Sequence, residues 1–162
     1  MKKYLILLSL IIPALAFVAC SDDDDLPKVT INFDIEGAAK VDGVYYIVQG
    51  ETMTIKSITV VNEESDKKAA ITQADYYLDY HYVGTSIQPP YGFELETDEN
   101  TPLGKHLLEV EMPVIAEGKT PGVAMAGFRL MVVATQEEVP APDEPSVTKV
   151  VPTVSNTSDR TK

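Results

Sequence analysis

The stretch that decides the fold runs His106-Leu107-Leu108-Glu109-Val110-Glu111-Met112. Every second residue from His106 to Met112 belongs to one side, and the two glutamates belong to the other. Apolar and charged residues that alternate with a period of two are typical of a β-strand with one buried face. The stretch therefore predicts a strand that covers a hydrophobic core with one side and meets water with the other.

The same alternation recurs on both sides of this stretch and predicts an all-β chain. Further strands are predicted at 29–35, 44–48, 51–61, 70–78, 83–86, 93–96 and 124–134. A β-bulge is expected near Lys56 and Ser57, where the alternation shifts. Short strands separated by turn residues, with no helical pattern between them, predict an antiparallel β-sandwich.

Six segments also carry a family resemblance: Tyr76–Asp79, Val83–Ser86, Pro89–Phe93, Thr97, Gly104–Leu108 and Phe128–Leu130. Together they resemble bacterial immunoglobulin-like domains, which recur in cell-surface and glycan-active proteins. The resemblance covers about 44–134 and implies an immunoglobulin-like antiparallel β-sandwich of about seven strands. It implies no activity, because a sandwich hosts many functions. One departure is Tyr80, which follows Asp79 where these domains often have glycine.

The N-terminal residues read as an export signal. Lys2 and Lys3 precede an uncharged apolar run from Tyr4 to Val18, and small residues then lead to Cys20. This is the plan of a secretory signal peptide, and the run is shorter than the roughly 20 residues of a membrane span. The junction resembles the lipobox of Bacteroidota-type lipoproteins, with Phe17 in place of the usual leucine.

That resemblance implies cleavage after Ala19 and acylation of Cys20. Several acyl chains, at about 0.8 kcal/mol per buried methylene, would hold the protein firmly on a membrane. The alternative is an unmodified thiol after an ordinary signal peptide, although exported proteins rarely keep a free cysteine. The acidic run Ser21–Asp25 predicts a solvated tether, and it resembles the signal that sends such lipoproteins to the outer face of the outer membrane.

These patterns divide the chain into four parts. We predict a lipoprotein signal peptide at 1–19, an acidic tether at 20–27, the sandwich at 28–135 and a mobile C-terminal tail at 136–162. The alternative for the tail is an edge strand over 147–154, which Pro152 disfavours.

Charge and motif content exclude several functions. The formal net charge is −12, and it becomes −14 once Lys2 and Lys3 leave with the signal peptide. Nucleic acid is not expected as a partner, because phosphates demand basic patches. No nucleophile elbow, phosphate loop or Cys-x-x-Cys pair occurs, and we expect no cofactor and no enzyme activity. In the immunoglobulin-like domains that the chain resembles, such a histidine is structural and donates to backbone near the sheet edge, and the resemblance implies this role for His106.

The acidic run over 94–99 leaves one metal question open. Calcium takes six to eight oxygen ligands, and clustered carboxylates provide such ligands. The spacing matches no EF-hand loop, and solvated charges on an edge strand explain the run equally well.

Candidate binding residues come from the tyrosines, five of whose eight fall between residues 76 and 91. Tyr76 shares the core parity, whereas Tyr77 faces the other way. Tyr80, His81 and Tyr82 are placed at a hairpin tip, where aromatic rings with polar groups suit the stacking of sugars or the docking of a partner. The alternative is that these rings pack against neighbouring loops.

The sequence thus predicts a lipid-anchored cell-surface binding or adhesion module that contacts a glycan or a surface protein. A second hypothesis is a pilin-like or envelope-associated structural subunit whose edge strands pair with partners. A small hydrolase with paired carboxylates is a third, although a chain of this size leaves little room for a cleft.

The lipid anchor is directly testable. Cells fed a labelled fatty acid should label the protein, and mass spectrometry should find a mature chain that begins at an acylated Cys20. Cys20→Ala should abolish the label and release the protein from the membrane fraction. An unlipidated mature N-terminus would contradict the prediction.

Overall fold

The computed structural model describes residues 25–64, 67–141 and 147–156, so the predicted signal peptide and the predicted acylation site at Cys20 lie outside the described residues. Two β-sheets make up the described part of the chain. The strands are β1 (Val29–Glu36), β2 (Ala39–Val41), β3 (Val44–Val48), β4 (Thr52–Asn62), β5 (Ala69–Ile71), β6 (Ala74–Leu78), β7 (His81–Ser86), β8 (Phe93–Glu96), β9 (Gly104–Ala116), β10 (Gly122–Val133), β11 (Val147–Val150) and β12 (Val154–Ser155), with a 3₁₀ turn at Gln136–Glu138.

The two sheets pack face to face as a sandwich. The smaller sheet has the order β11-β1-β4-β8, and the larger has the order β2-β3-β10-β9-β6-β7, with β5 beside β9 and β12 beside β10. The prediction of an all-β, immunoglobulin-like sandwich is confirmed. The pairing departs from a purely antiparallel one where β3 runs parallel to β10. β2 and β3 form an antiparallel hairpin at the edge of the larger sheet. β3, the second strand of that hairpin, lies next to β10 and has the same direction.

Aromatic side chains join the two sheets at the centre of the core. The rings of Phe33 on β1 and Phe128 on β10 meet edge to face with centroids 4.8 Å apart, and Tyr45 on β3 meets Phe128 in the same way at 5.9 Å. Burial of each such side chain contributes about 1.5–3 kcal/mol. The inward parity predicted for β1, β9 and β10 is confirmed, because Ile31, Leu108 and Leu130 are almost fully buried.

The predicted β-bulge is confirmed at Lys56. Asp34 pairs with Ser57 and Ile35 pairs with Ile55, so Lys56 is the extra residue on β4. The bulge lets both Ile55 and Ile58 point into the core despite their odd spacing.

The strand predicted at 70–78 is wrong as a single strand. The chain breaks at Thr72 and Gln73 between β5 and β6, and Ile71 is buried in place of Ala70 and Thr72. The two short strands have opposite parity, and the larger apolar side chain of Ile71 takes the inward position. The inward parity predicted for Ala74 and Tyr76 holds.

The mobile tail predicted for 136–162 is wrong for residues 147–155. β11 pairs with β1 at the edge of the smaller sheet, and the hydroxyl of Thr148 bonds to the hydroxyl of Tyr45 in the larger sheet. β12 then pairs with β10. A Cβ at Gly122 would lie 2.4 Å from Cγ1 of Val154, so only glycine admits this close approach. Pro152 falls between the two strands and breaks neither of them.

The predicted boundary between tether and sandwich at residue 28 is also too late. Leu26 is buried. The backbone N–H of Thr120 donates to the Asp25 carbonyl at 2.9 Å, and its hydroxyl donates to Asp25 Oδ2 at 2.6 Å. The chain therefore docks on the sandwich from Asp25 onward.

The hairpin of β6 and β7 lies at the opposite end of the sandwich from Asp25. The turn between these strands bonds to Leu107 near the start of β9, whereas Thr120 follows the end of β9. The ten residues from Leu107 to Ala116 span about 30 Å, in nine steps of roughly 3.4 Å each. No helix in the described residues is long and apolar enough to span a bilayer.

The C-terminal strands should be needed for stability. Truncation after Pro140 removes β11 and β12, uncovers β1 and exposes the residues beneath Val150 and Val154, so the free energy of unfolding should fall by about 2–3 kcal/mol. Truncation after Asn156 is the matched control and should leave it unchanged. Equal denaturant midpoints for the two truncated chains would show that β11 and β12 contribute nothing to stability.

Candidate functional site at the hairpin of β6 and β7

A tight turn of two residues connects β6 to β7. Leu78 pairs with His81, and Asp79 and Tyr80 between them have φ angles of +48° and +67°. Two positive φ angles in a two-residue loop define a type I′ turn, whose second position favours glycine. A left-handed conformation costs an ordinary residue such as Tyr80 about 1–2 kcal/mol, so its surroundings must hold the turn in place.

Asp79 provides that hold by bonding to β9. Its backbone N–H donates to the Leu107 carbonyl at 2.9 Å, and its Oδ1 accepts the Leu107 N–H at 2.9 Å. Its Oδ2 lies 2.7 Å from Nδ1 of His106. The other ring nitrogen of His106, Nε2, lies 2.8 Å from the carbonyl oxygen of Pro102. These four contacts form a clamp of Asp79, His106, Leu107 and Pro102 that ties the turn to β9 and the loop before it.

The clamp favours one protonation state. A carbonyl oxygen and a carboxylate can only accept, so both ring nitrogens of His106 carry protons when both bonds are made. Burial alone lowers the pKa of His106, but the bonds to Asp79 and Pro102 outweigh it and raise that pKa. Burial alone raises the pKa of Asp79, but the bonds from His106 and Leu107 outweigh it and lower that pKa.

The stabilisation by this pair has a definite pH window. The contribution of His106 is fully present below its ordinary pKa and is lost as the pH rises through the raised value. The contribution of Asp79 is present above its ordinary pKa and is lost as the pH falls through the lowered value. Both contributions are present only in the mildly acidic range between these limits.

Tyr77 and Tyr82 form an aromatic pair on the outer face of the larger sheet. Their ring centroids are 5.8 Å apart at an interplanar angle of 70°. A register shift makes this contact possible, because Tyr76 pairs with Gly84 but Tyr77 pairs with Tyr82, which leaves Val83 as an extra residue on β7. A bulge of this kind redirects the side chains that flank it.

The aromatic pair continues as a row across the sheet. Tyr77 pairs with Glu109 on β9, and Glu109 pairs with Gly127 on β10. Gly127 has no side chain and is exposed, and a Cβ placed there would lie 3.7 Å from Cδ1 of Leu107. Ring faces next to a carboxylate acceptor are a combination that suits a polyhydroxylated ligand.

The predicted site residues at the hairpin tip differ in their exposure and contacts. Tyr80 is 79% exposed at the tip and Tyr82 is 59% exposed, so neither ring is covered by neighbouring loops. The ring Nδ1 of His81 lies 2.9 Å from the Asp79 carbonyl oxygen and donates to it. The structure thus brings Tyr77 and Tyr82 together, leaves Tyr80 alone at the tip and directs His81 back to the turn.

The core side of the hairpin is a packing site, as predicted for Tyr76. Its hydroxyl donates to the Tyr91 carbonyl at 2.6 Å, and its ring stacks on Phe93 with centroids 4.2 Å apart. A Cβ at Gly84 would lie 3.2 Å from the Phe93 ring, so the missing side chain of glycine leaves the space that this ring occupies. β6 and β7 are therefore anchored on both faces.

The sequence did not reveal the clamp or the contribution of Glu109. The interpretation of His106 as a structural residue that bonds to backbone agrees with its contact to Pro102, but its bond to Asp79 was missed. The available signal was Asp79 followed by Tyr80 where glycine is usual, since an atypical turn residue requires support from elsewhere.

The acidic run over 94–99 forms no cluster of metal-ligating side chains in the described part of the chain. Within 25–64, 67–141 and 147–156, no group of three or more histidine, cysteine or acidic side chains could hold a metal ion. The Asp98 carboxylate instead accepts the Asn100 N–H at 3.0 Å and the Thr101 hydroxyl at 2.9 Å. Bonds from Asn100 and Thr101 lower the pKa of Asp98, as expected for a carboxylate that closes a turn.

Comparisons with known proteins add little to this description. No protein-family model matches the chain, and no curated protein matches it. A solved structure of fibronectin(III)-like modules of CbhA from Clostridium thermocellum is similar over 63% of this chain and 99% of that one, at 18% identity and a TM-score of 0.38. A likeness at that level carries no argument about activity or ligand.

The strain at Tyr80 can be measured. Tyr80→Gly relieves the left-handed conformation and removes an exposed ring, so the free energy of unfolding should rise by about 0.5–1 kcal/mol after the greater chain entropy of glycine is subtracted. Tyr82→Ala in the same hairpin is the control and should lower it, since Tyr77 loses its aromatic contact. Equal destabilisation by both substitutions would mean that Tyr80 is not strained.

Proposed function

We propose that the chain is a lipid-anchored binding module of the cell surface that captures carbohydrate with its hairpin tip. The observation that carries this proposal is Tyr80, an exposed aromatic residue in a turn position where glycine would be more stable. Backbone strain maintained by supporting contacts is a feature of functional sites. The clamp on Asp79 is such a support.

Carbohydrate is the ligand class that the surroundings of Tyr80 favour. Tyr82 and Tyr77 provide apolar ring faces with hydroxyl groups, and Glu109 in the same row provides a carboxylate acceptor for sugar hydroxyls. The net charge of −12 disfavours acidic polysaccharides. We therefore propose a neutral glycan as the ligand.

The position of the tip supports display away from a membrane. Asp25 docks at the opposite end of the sandwich from the turn at Asp79. Cys20 lies five residues before Asp25, within about 18 Å of extended chain. An acyl anchor at Cys20 would hold that end close to the bilayer, and the tyrosines would then face outward.

The edge of β7 favours a second candidate function, that of a structural subunit. The other three edge strands of the two sheets carry charged side chains. These are Lys40 on β2, Glu94 and Glu96 on β8, and Lys149 on β11. β7, from His81 to Ser86, has no acidic, lysine, arginine or proline residue. An edge strand without such protection is open to main-chain pairing with another strand.

An array of neutral oligosaccharides tests the two candidates. The full chain should bind a defined subset, and Tyr80→Ala combined with Tyr82→Ala should reduce the affinity at least roughly tenfold, because two stacking contacts are lost. Ile115→Ala, at the far end of β9, is the matched control and should retain binding.

Two results would contradict glycan capture: no neutral glycan bound by the wild-type chain, or full affinity in the double variant. If the wild-type chain instead forms concentration-dependent polymers that Val83→Lys on the β7 edge abolishes, the structural subunit is the correct function.

A further inference from the structure

The contact between His106 and Asp79 joins the less exposed of the two histidines to the turn that presents Tyr80. The His106 side chain is 9% exposed and that of Asp79 is 46% exposed. A neutral ring keeps only one N–H, so either Nδ1 meets the Asp79 carboxylate or Nε2 meets the Pro102 carbonyl with a lone pair, at 2.7 and 2.8 Å respectively. In either tautomer one bond of the clamp loses its donor and the bond to Asp79 loses the positive charge of the ring, so deprotonation weakens the clamp.

Asp79 transmits this change to the tip because it is itself the first turn residue. Its carboxylate bonds to both His106 and the Leu107 N–H, and its own carbonyl accepts the His81 ring N–H. Tyr80 follows directly, in the strained left-handed conformation that these bonds support. A carboxylate that moves away from His106 therefore withdraws support from the residue next to it.

We propose that His106 is a positioning residue for the hairpin tip, which its doubly protonated ring holds in the binding conformation through Asp79 and which its deprotonation releases. The consequence for affinity rests on the proposed function, whereas the change in the turn does not. Capture is then strongest in mildly acidic medium and weakens in alkaline medium.

In the described part of the chain, Asp79 is the charged side chain that is hydrogen-bonded to the His106 ring. On the hairpin, His81 bonds to the Asp79 carbonyl and not to His106. Lys105 on the same strand and Arg129 on β10 are exposed on the outer face of the sheet, opposite in parity to His106. They line a cavity of about 300 Å³ together with Tyr46 on β3 and with His106 itself.

The elements that face the inner side of His106 contribute no inward charge in the described residues. His106 pairs with Leu130 on β10. On the opposite sheet, β8 buries Leu95 and exposes Glu94 and Glu96. In the loop before β9, the Asp98 carboxylate accepts hydrogen bonds from the Asn100 N–H and the Thr101 hydroxyl. The Asp79 carboxylate is therefore the charged group that forms an ion pair with the protonated His106 ring.

Nuclear magnetic resonance of the full chain in detergent tests the inference without a ligand. The ring signals of Tyr80 and Tyr82 should shift between about pH 5.5 and pH 9 with the same midpoint as His106, above the ordinary histidine value of about 6.5. His81→Gln removes the other histidine of the chain, and the shared titration should persist. If the chemical shifts of Tyr80 and Tyr82 do not change as His106 titrates, the inference is wrong.

Two substitutions examine the path through Asp79. Asp79→Asn keeps an acceptor and tolerates the left-handed turn, but it removes the charge, so the His106 midpoint should fall and the tyrosine shifts should follow it downward. His106→Gln should abolish the shifts. Shifts that persist in His106→Gln would assign them to another group and contradict the proposal.

The affinity for a glycan, measured at two pH values, tests the consequence for binding. A neutral glycan identified on the array should bind roughly tenfold more weakly at pH 9 than at pH 5.5, the ratio expected for the loss of one charge-assisted hydrogen bond. In His106→Gln the affinity should be the same at both pH values. If no glycan binds at any pH, the proposed function fails, and the tyrosine titration alone decides the role of His106.

Discussion

The antiparallel pairing of β9 with β10 is the constraint on which the rest of the structure depends. Eleven residue pairs link the two strands, from Gly104 with Val132 to Val114 with Gly122. A shift of one residue would turn Glu109 and Glu111 into the core and Leu108 and Val110 into water, so burial fixes the register. β6 then docks on the other side of β9, and this places the hairpin turn beside Leu107.

The hairpin tip uses that fixed frame to hold a conformation that its own residues disfavour. Tyr80 has a positive φ, and the bonds from His106 and Leu107 to Asp79 offset the cost. A charge-assisted bond contributes about 1.5–3 kcal/mol, which is comparable to the left-handed penalty of about 1–2 kcal/mol. Because these terms are similar in size, the turn is held only while the clamp is intact.

The sequence predicted the parts of the fold that a period of two determines. It predicted the bounds of β3, the bulge at Lys56 and the inward faces of β1, β9 and β10, because burial on one face imposes alternation. The predictions from the sequence were wrong where contacts between distant residues determine the structure. Ile71 takes the inward position in a short strand, β11 is held by Tyr45 and β1, and Asp25 is held by Thr120. The bonds of the Asp79 carboxylate to His106 and Leu107 join residues 27 and 28 positions apart, and no local pattern identifies these partners.

The central claim is that the sandwich presents a rigid aromatic tip, and amide hydrogen exchange tests it most directly. The N–H groups of Asp79 and Leu107 both bond within the clamp. At mildly acidic pH they should be protected as strongly as the amides of the β9–β10 ladder. Exchange at the rate of the exposed turn around Glu99 would show that the tip is loose and would contradict the account.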